Sequence, residues 1–139
     1  MCETVKVLVV DDSAAAVHLL KDALERECPV PIEVSVANDG EVALQMIAEG
    51  HRPELILLDL NLPKVDGFTV LDRLYVPECR IPVIILSNSD RASDVQKADE
   101  LGASAYYRKP IDYGAFVDTV RSICEAWIHP LAAGRRLTQ

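Results

Sequence analysis

The sequence predicts an α/β domain in which a doubly wound, five-stranded parallel sheet lies between two layers of helices. Two observations lead to this fold class. Apolar runs of strand length alternate with segments whose apolar residues recur at helical spacing, five times each. The strand runs contain almost no polar residues, which is typical of strands buried on both faces of a parallel sheet.

The order of these segments supports the same fold. The predicted strands are residues 5–10, 32–36, 55–58, 82–86 and 105–108. The predicted helices follow them at about residues 13–27, 40–49, 68–74, 90–101 and 112–128. Because crossovers between parallel strands are right-handed, few topologies remain, and we expect the strand order 2-1-3-4-5.

Local signals mark where helices begin and end. Asp12 or Ser13 can cap the first helix, and the second opens at Asn38-Asp39-Gly40. Gly50 stands where a left-handed residue would end the second helix. The fourth helix has only a thin apolar stripe, formed by Val95, Ala98 and Leu101.

The composition describes one globular domain and argues against several functions. In 139 residues, 14 basic and 22 acidic side chains give a formal net charge of −8. Binding to nucleic acid or to an anionic membrane needs clustered basic residues, so neither is expected as the main function. The N-terminus has no secretion signal and no apolar run is long enough for a membrane helix, so we expect a cytoplasmic protein.

The cysteines give no metal or disulfide signature. Cys2, Cys28, Cys79 and Cys124 lie far apart, without a C-x-x-C pair or a partnered histidine. We therefore expect neither zinc nor a disulfide framework. Cys28 and Cys124 are interpreted as small buried residues of a reduced protein.

Polar residues close the predicted strands at one edge of the sheet. Strand one ends at Asp11 and Asp12, strand three at Asp59, strand four at Ser87 and strand five at Lys109. In the order 2-1-3-4-5, strands one and three are neighbours where the winding reverses, which is where such sheets bind ligands. The three carboxylates are therefore expected to converge, with the hydroxyl and the lysine beside them.

Such a pocket suits one kind of chemistry. Three neighbouring carboxylates repel one another unless a cation compensates for their charge. Mg²⁺ prefers carboxylate and phosphate oxygens, and with a lysine and a hydroxyl it would favour phosphoryl transfer to a carboxylate. The product would be an aspartyl phosphate.

The order and spacing of these residues resemble the receiver domain of two-component response regulators, in the manner of the bacterial chemotaxis receiver. The matching segments are VVDDS at 9–13, LILLDLNLPKVDG at 55–67, VIILSNS at 83–89 and LGASAYYRKP at 101–110. The resemblance covers about residues 5–128. It implies the flavodoxin-like fold, with a receiver domain at residues 1–129 and a C-terminal tail at 130–139.

Carried over residue by residue, the resemblance implies a phosphoacceptor and a Mg²⁺ site. Asp59 corresponds to the phosphoacceptor and to one metal ligand. Asp12 would bind Mg²⁺ directly, Asp11 would assist directly or through water, and Asn61 would offer its backbone carbonyl. Asn61 and Ser89 occupy the two variable positions that tune dephosphorylation in the family.

The resemblance also implies a switch. Ser87 stands at the position whose hydroxyl bonds the phosphoryl group, and Lys109 at the lysine of the family's K-P motif. Tyr106 matches the aromatic residue that moves inward when Ser87 turns toward the phosphate. Two residues depart from the family pattern: Asn88 replaces a very small residue, and Ile111 replaces an aromatic one.

The implied function is that of a stand-alone receiver, which catalyses only its own phosphorylation and dephosphorylation. A sensor histidine kinase would donate the phosphoryl group. No output domain fits after residue 130, so a downstream protein or a phosphotransfer protein is expected to read the signal. The fourth helix, fifth strand and fifth helix form the expected contact surface, which could also support a homodimer.

The C-terminal end adds one further resemblance. Receivers paired with bacterial phytochrome kinases also have a tryptophan in the fifth helix, here Trp127, followed by a tail. Residues 129–139 show no regular pattern. We expect this tail to be disordered, to fold back, or to cross to a partner subunit.

Three other functions share part of this pattern. A phosphatase of the haloacid-dehalogenase type would need D-x-D after the first strand, whereas Asp11 and Asp12 are adjacent. A flavodoxin would need a phosphate-binding loop there, and these carboxylates would repel a phosphate. A receiver-like scaffold that takes no phosphate is disfavoured by the intact acceptor, metal and lysine positions.

Overall fold

The computed structural model describes residues 4–62, 65–74 and 81–137, and confirms the predicted fold class. Five parallel strands lie in the order β2-β1-β3-β4-β5. The strands are β1 (Val5–Val10), β2 (Ile32–Ala37), β3 (Leu55–Leu58), β4 (Val83–Ser87) and β5 (Ala105–Arg108). The five predicted helices are α1 (Ala14–Glu27), α2 (Gly40–Ala48), α3 (Gly67–Leu74), α4 (Ala92–Glu100) and α5 (Tyr113–Ile123).

The helix ends follow the local signals in the sequence. Ser13, and not Asp12, caps α1, because its Oγ accepts a hydrogen bond from the amide of Ala16 at 3.2 Å. Asp39 caps α2 in the same way. Gly50 follows α2 with a φ of 97°, a left-handed conformation that glycine adopts without steric cost.

Two apolar clusters hold the helices against the two faces of the sheet. One cluster joins alternate residues of β1, β3 and β4 to α1 and α5, and the other joins the intervening residues to α2, α3 and α4. Tyr106 packs on the second cluster and Tyr107 on the first, because neighbouring strand residues face opposite sides. The core is therefore the layered packing that the apolar strand runs predicted.

The C-terminal residues correct the prediction of an irregular tail. A π-helical turn at Cys124–Ile128 follows α5 directly and leads into a further helix, α6 (His129–Leu137). Pro130 is the second residue of α6, although a proline lacks the amide hydrogen that an α-helix needs. The chain changes to wider π-helical bonding just before the proline, and the buried side chains of Ile128 and Ala132 anchor the continuation.

The cysteine prediction was wrong in part. Cys28 and Cys124 are buried, as expected, but they form a disulfide across a Cα–Cα distance of 5.7 Å. Spacing rules did not find this pair because the residues are 96 positions apart in the sequence. The packing of α1 against α5 brings the end of one helix next to the end of the other. Cys2 and Cys79 lie outside the described residues.

Candidate functional site

Three carboxylates meet at the carboxyl edge of the sheet, as the sequence predicted. The register pairs Val10 of β1 with Leu58 of β3, so the residues that follow them, Asp11 and Asp59, leave the sheet side by side. Oxygen atoms of Asp11, Asp12 and Asp59 all lie within 4.8 Å of one another. The first and last are buried, with 4% and 8% exposure, and Asp12 is exposed.

Backbone amides orient the two buried carboxylates. Oδ1 of Asp11 accepts a hydrogen bond from the amide of Ser13 at 2.9 Å. Oδ1 of Asp59 accepts one from the amide of Asn61 at 3.1 Å. Since these bonds fix one oxygen of each group, the second oxygen of each is directed to the other polar groups of the pocket.

Lys109 reaches both of those second oxygens. Its Nζ lies 2.9 Å from Oδ2 of Asp11 and 3.4 Å from Oδ2 of Asp59, and its side chain is only 15% exposed. The backbone amide of Lys109 donates to the carbonyl of Ser87 at 2.7 Å, which ties the end of β5 to the end of β4. One cation therefore neutralises part of the charge of two buried anions.

The pKa of Asp59 is raised above its ordinary value of 3.8, and burial is the main cause. The neighbouring charge of Asp11 raises it further. Lys109 and the amide of Asn61 act in the opposite direction, because both favour the ionised carboxylate. A divalent cation between the carboxylates would add to that second effect.

Ser87 and Tyr106 both form hydrogen bonds with the loop that follows β4. Ser87 is completely buried at the end of that strand, and its Oγ accepts a hydrogen bond from the amide of Ser89 at 3.3 Å. The Tyr106 hydroxyl donates to the carbonyl of Ser89 at 2.7 Å. The predicted hydroxyl and the predicted aromatic residue are thus both bonded to one residue of this loop.

The sequence did not predict the role of Ser89 in this loop. Its hydroxyl donates to Oδ2 of Asp94, in the first turn of α4, at 2.5 Å. Serine and aspartate are both common at helix starts, so the sequence held no specific signal for this bond.

The residues that depart from the family pattern lie beside the pocket. Asn88 is exposed and, with Ile111 and Phe116, lines a cavity of about 220 Å³ that also reaches Asp11 and Lys109. Ile111 is 99% exposed. Its side chain therefore contributes to the surface of the protein next to the lysine and not to the core.

The donor set fits a hard divalent cation. Three carboxylates offer oxygen ligands within one small region, and Mg²⁺ and Mn²⁺ both bind such ligands while retaining some water. Asn61 is exposed. The hydrogen bond from its backbone amide to Asp59 holds the turn that carries the backbone carbonyl of Asn61. The chemistry of these groups is that of a cation site adjoining a potential phosphoryl acceptor.

A model of the response regulator receiver domain matches residues 7–121 of this sequence. The chain belongs to the receiver domain family of two-component response regulators. The resemblance in the motifs is thereby confirmed over most of the chain.

Two curated relatives carry the same domain. The chain is 42% identical over 105 residues to the alkaline phosphatase synthesis transcriptional regulatory protein PhoP of Bacillus subtilis, covering 76% of this chain and 42% of that protein. It is 42% identical over 120 residues to the response regulator PleD of Caulobacter vibrioides, covering 85% of this chain and 26% of PleD. The chain thus spans less than half the length of these relatives.

Solved structures of similar length include two response regulators. The Mn²⁺-bound form of response regulator Rcp1 is 35% identical, with a TM-score of 0.79, covering 88% of this chain and 93% of that one. The phosphorylated cyanobacterial phytochrome response regulator RcpA is 36% identical, with a TM-score of 0.81, covering 90% and 94%. Both similarities extend over nearly the whole of each neighbour.

The structure also bears on membrane association. Across residues 4–62, 65–74 and 81–137, no helix combines the length and hydropathy that crossing a bilayer requires.

Proposed function

We propose that this receiver accepts a phosphoryl group on Asp59 from the phosphohistidine of a sensor histidine kinase, in a reaction that depends on Mg²⁺. The observation that carries the proposal is the convergence of Asp11, Asp12 and Asp59, with the Lys109 ammonium paired to the first and the last of them. Lys109, together with a bound divalent cation, would lower the charge repulsion between an attacking carboxylate and the phosphoryl oxygens.

The chain's own groups prepare the acceptor for this reaction. An oxygen of Asp59 would form the new bond to phosphorus while the bond from phosphorus to the histidine nitrogen breaks. The acceptor must be ionised, and Lys109 and the amide of Asn61 favour that form against the effect of burial. Because Oδ1 of Asp59 accepts the Asn61 amide, Oδ2 on the lysine side is the oxygen placed to react.

The metal would be held by the acidic pocket. Asp11, Asp12 and Asp59, with the backbone carbonyl of Asn61, are the residues proposed to bind Mg²⁺. When bound, the ion offsets negative charge on the carboxylates and on the phosphoryl oxygens. The existence of a Mn²⁺-bound form of Rcp1, a receiver of similar structure, supports a divalent cation here.

Phosphorylation would then be read through Ser87 and Tyr106. A serine hydroxyl carries one donor and two acceptor positions, so Ser87 can donate to a phosphoryl oxygen. Both residues contact Ser89, which supports a joint response of the β4–α4 loop. We propose that the chain catalyses no reaction other than its own phosphorylation and dephosphorylation.

The proposed partners follow from the surface and from the neighbours. The face formed by α4, β5 and α5 would contact a downstream protein, a phosphotransfer protein or a second copy of the chain. The similarity to a phytochrome response regulator supports a phytochrome-like kinase. The net charge of −8 supports protein partners over nucleic acid or membrane. We also propose a cytoplasmic location. In this proposal residues 1–129 are the receiver, and residues 130–139 extend it.

The decisive test is the intact mass of the protein after incubation with acetyl phosphate and Mg²⁺. We expect the wild type to gain the mass of one phosphoryl group, and the gain to disappear with a chelator and in Asp59→Ala. Asp72→Ala, which changes an exposed residue of α3, is the matched control and should behave as the wild type. A gain that persists in Asp59→Ala would contradict the assignment of the acceptor.

Two further measurements separate the alternatives. Many turnovers of a phosphomonoester by the wild type would favour a phosphatase of the aspartate-nucleophile class. Sedimentation with and without the phosphoryl analogue beryllofluoride tests the homodimer, and identical profiles would contradict phosphorylation-dependent association.

A further inference from the structure

Ser89 uses every polar group that it has. Its amide donates to Oγ of Ser87 at 3.3 Å, and its carbonyl accepts from the Tyr106 hydroxyl at 2.7 Å. Its hydroxyl donates to Oδ2 of Asp94 at 2.5 Å, and the hydroxyl oxygen accepts from the amide of Arg91 at 3.3 Å. One half-buried residue therefore contacts a group of the proposed phosphorylation pocket, a strand residue of β5 and the first turn of α4.

Helix α4 depends on such polar contacts because it buries little apolar surface. Within Ala92–Glu100, all of which the structure describes, Ala98 is the one buried residue, and Val95 is 38% exposed. The N-cap residue, Arg91, makes no capping hydrogen bond with its side chain. Besides the bond from Ser89 to Asp94, the ammonium of Lys97 lies 4.5 Å from the ring centre of Phe68 on α3. The anchoring of the N-terminal turn therefore rests largely on Asp94.

We propose that the Ser89–Asp94 hydrogen bond is the link by which the state of the Ser87 hydroxyl reaches helix α4. Asp94 is a positioning residue in this scheme, since it acts through Ser89 and does not contact the reacting atoms. The inference rests on the proposed function, because it takes Ser87 as the group that responds to a phosphoryl group on Asp59.

The two hydrogen bonds of Ser89, to Ser87 and to Asp94, differ in strength. When Ser87 turns its hydroxyl toward a phosphoryl oxygen, the 3.3 Å bond from the Ser89 amide must either break or draw Ser89 with it. The bond to Asp94 has a charged acceptor and is short, so it is the stronger of the two. If Ser89 is displaced, its hydrogen bond to Asp94 therefore holds, and the first turn of α4 moves with it.

The experiment compares amide hydrogen exchange in α4 with and without beryllofluoride and Mg²⁺ in the full chain. In the wild type, beryllofluoride should change exchange in the first turn of α4. In Asp94→Asn the acceptor loses its charge. The change in α4 exchange rates that beryllofluoride causes should then be about fivefold smaller than in the wild type, the factor that corresponds to roughly 1 kcal/mol between a charged and a neutral hydrogen bond. Beryllofluoride binding itself, followed by ¹⁹F NMR, should be retained.

The matched control is Asp90→Asn, in the same loop. Asp90 pairs with Arg108 at 3.5 Å, and both side chains are more than half exposed. The substitution removes the same charge without touching Ser89, so the response of α4 to beryllofluoride should equal that of the wild type.

A second variant tests whether Asp94 acts through Ser89. Ser89→Ala removes the hydroxyl and keeps the amide and carbonyl contacts, so it should reduce the α4 response as Asp94→Asn does. Ser89→Thr retains a hydroxyl and should restore the response. The two substitutions Ser89→Ala and Asp94→Asn together should be no worse than either alone, because they break the same link.

The outcomes distinguish the link from a structural role and from failure of the proposed function. If Asp94 only stabilised the helix, Asp94→Asn would speed α4 exchange equally in both states, and the beryllofluoride-induced difference would remain; that result would overturn the link. Additive losses in the double variant would also overturn it. Failure of beryllofluoride to bind the wild type would overturn the proposed function and the link together.

Discussion

The ammonium of Lys109 lies closer to Asp11 than to Asp59, at 2.9 Å against 3.4 Å. The lysine of the K-P motif thus pairs more closely with a proposed metal ligand than with the proposed acceptor. A phosphoryl group on Asp59 would add negative charge on one side of this lysine, and a divalent cation would compete for Asp11 on the other. Both changes would draw the ammonium away from Asp11.

Lys109→Met should destabilise the metal-free protein. The substitution leaves Asp11 and Asp59 buried side by side without their cation, and breaking a largely buried pair costs about 3 kcal/mol or more. Urea unfolding with a chelator present measures this loss. Saturating Mg²⁺ should recover part of it, because the ion replaces the missing charge.

Lys21→Met, which removes an exposed lysine of α1, is the control and should change the free energy of unfolding by less than about 0.5 kcal/mol. An equal loss for Lys109→Met with and without Mg²⁺ would contradict a shared role for lysine and metal at these carboxylates.

Asp59→Asn should stabilise the metal-free protein at neutral pH. Burial raises the pKa of Asp59 above 3.8, so ionisation favours the unfolded state and disfavours the folded one. The penalty is absent below the ordinary pKa and develops as pH rises through the raised one. The variant, which carries no charge, should therefore be more stable than the wild type at neutral pH, and its advantage should shrink progressively toward pH 4 and below.

The measurement is urea unfolding across that pH range with a chelator, with Asp72→Asn as the exposed control. Added Mg²⁺ should favour the wild type, since the variant lacks one ligand. A gain that does not depend on pH would show that burial of the Asp59 charge is not its cause.

The fold and the acidic site were predictable because their signals lie in consecutive residues. The run Leu55–Leu58 has the length and composition of a buried strand, and the polar Asp59 directly after it marks the strand end where ligands bind. The strand order then brought Asp11 to the same edge without further information. Lys109 was expected beside these carboxylates, and its pairing with both Asp11 and Asp59 became visible only in the structure.

The features that were missed depend on contacts between distant parts of the chain. Cys28 meets Cys124 only after α1 and α5 have packed on the same face of the sheet. The helix continues past Pro130 because the π-helical turn before it removes the conflict with an α-helical hydrogen bond. Neither event leaves a local pattern, so the sequence predicted no disulfide and no regular element after residue 128.

Gly67→Ala should damage both the fold and the phosphorylation reaction. A Cβ atom at this position would lie 2.4 Å from Cα of Leu60 and 2.9 Å from the carbonyl oxygen of Asp59, and neither backbone atom can move without shifting the acceptor. We expect a loss of more than about 2 kcal/mol in the free energy of unfolding. Phosphorylation by acetyl phosphate, followed by intact mass, should slow in the fraction that remains folded.

Gly134→Ala is the matched control, because a Cβ atom there meets nothing within 4 Å and the residue lies in α6. Alanine favours helix over glycine by about 0.5–1 kcal/mol, so this variant should be slightly more stable. Equal behaviour of the two alanine variants would mean that the approach of α3 to the acceptor loop is not tight.

Reduction of the disulfide should lower stability without abolishing the fold. In the chain-entropy model, a cross-link that closes a loop of about 100 residues stabilises a protein by up to about 4.7 kcal/mol, and measured values are commonly 2–4. Cys28 and Cys124 are 96 positions apart and buried, and the ion pair between Arg121 and Glu27 at 2.9 Å joins the same two helices independently of the disulfide. The reduced protein should therefore keep α1 packed on α5 and unfold at lower guanidinium concentration.

Guanidinium unfolding with and without dithiothreitol measures the difference. The double variant Cys28→Ala with Cys124→Ala should resemble the reduced wild type and show no response to dithiothreitol. If dithiothreitol leaves the wild-type midpoint unchanged, or shifts that of the double variant equally, the cross-link between these two cysteines does not stabilise the domain.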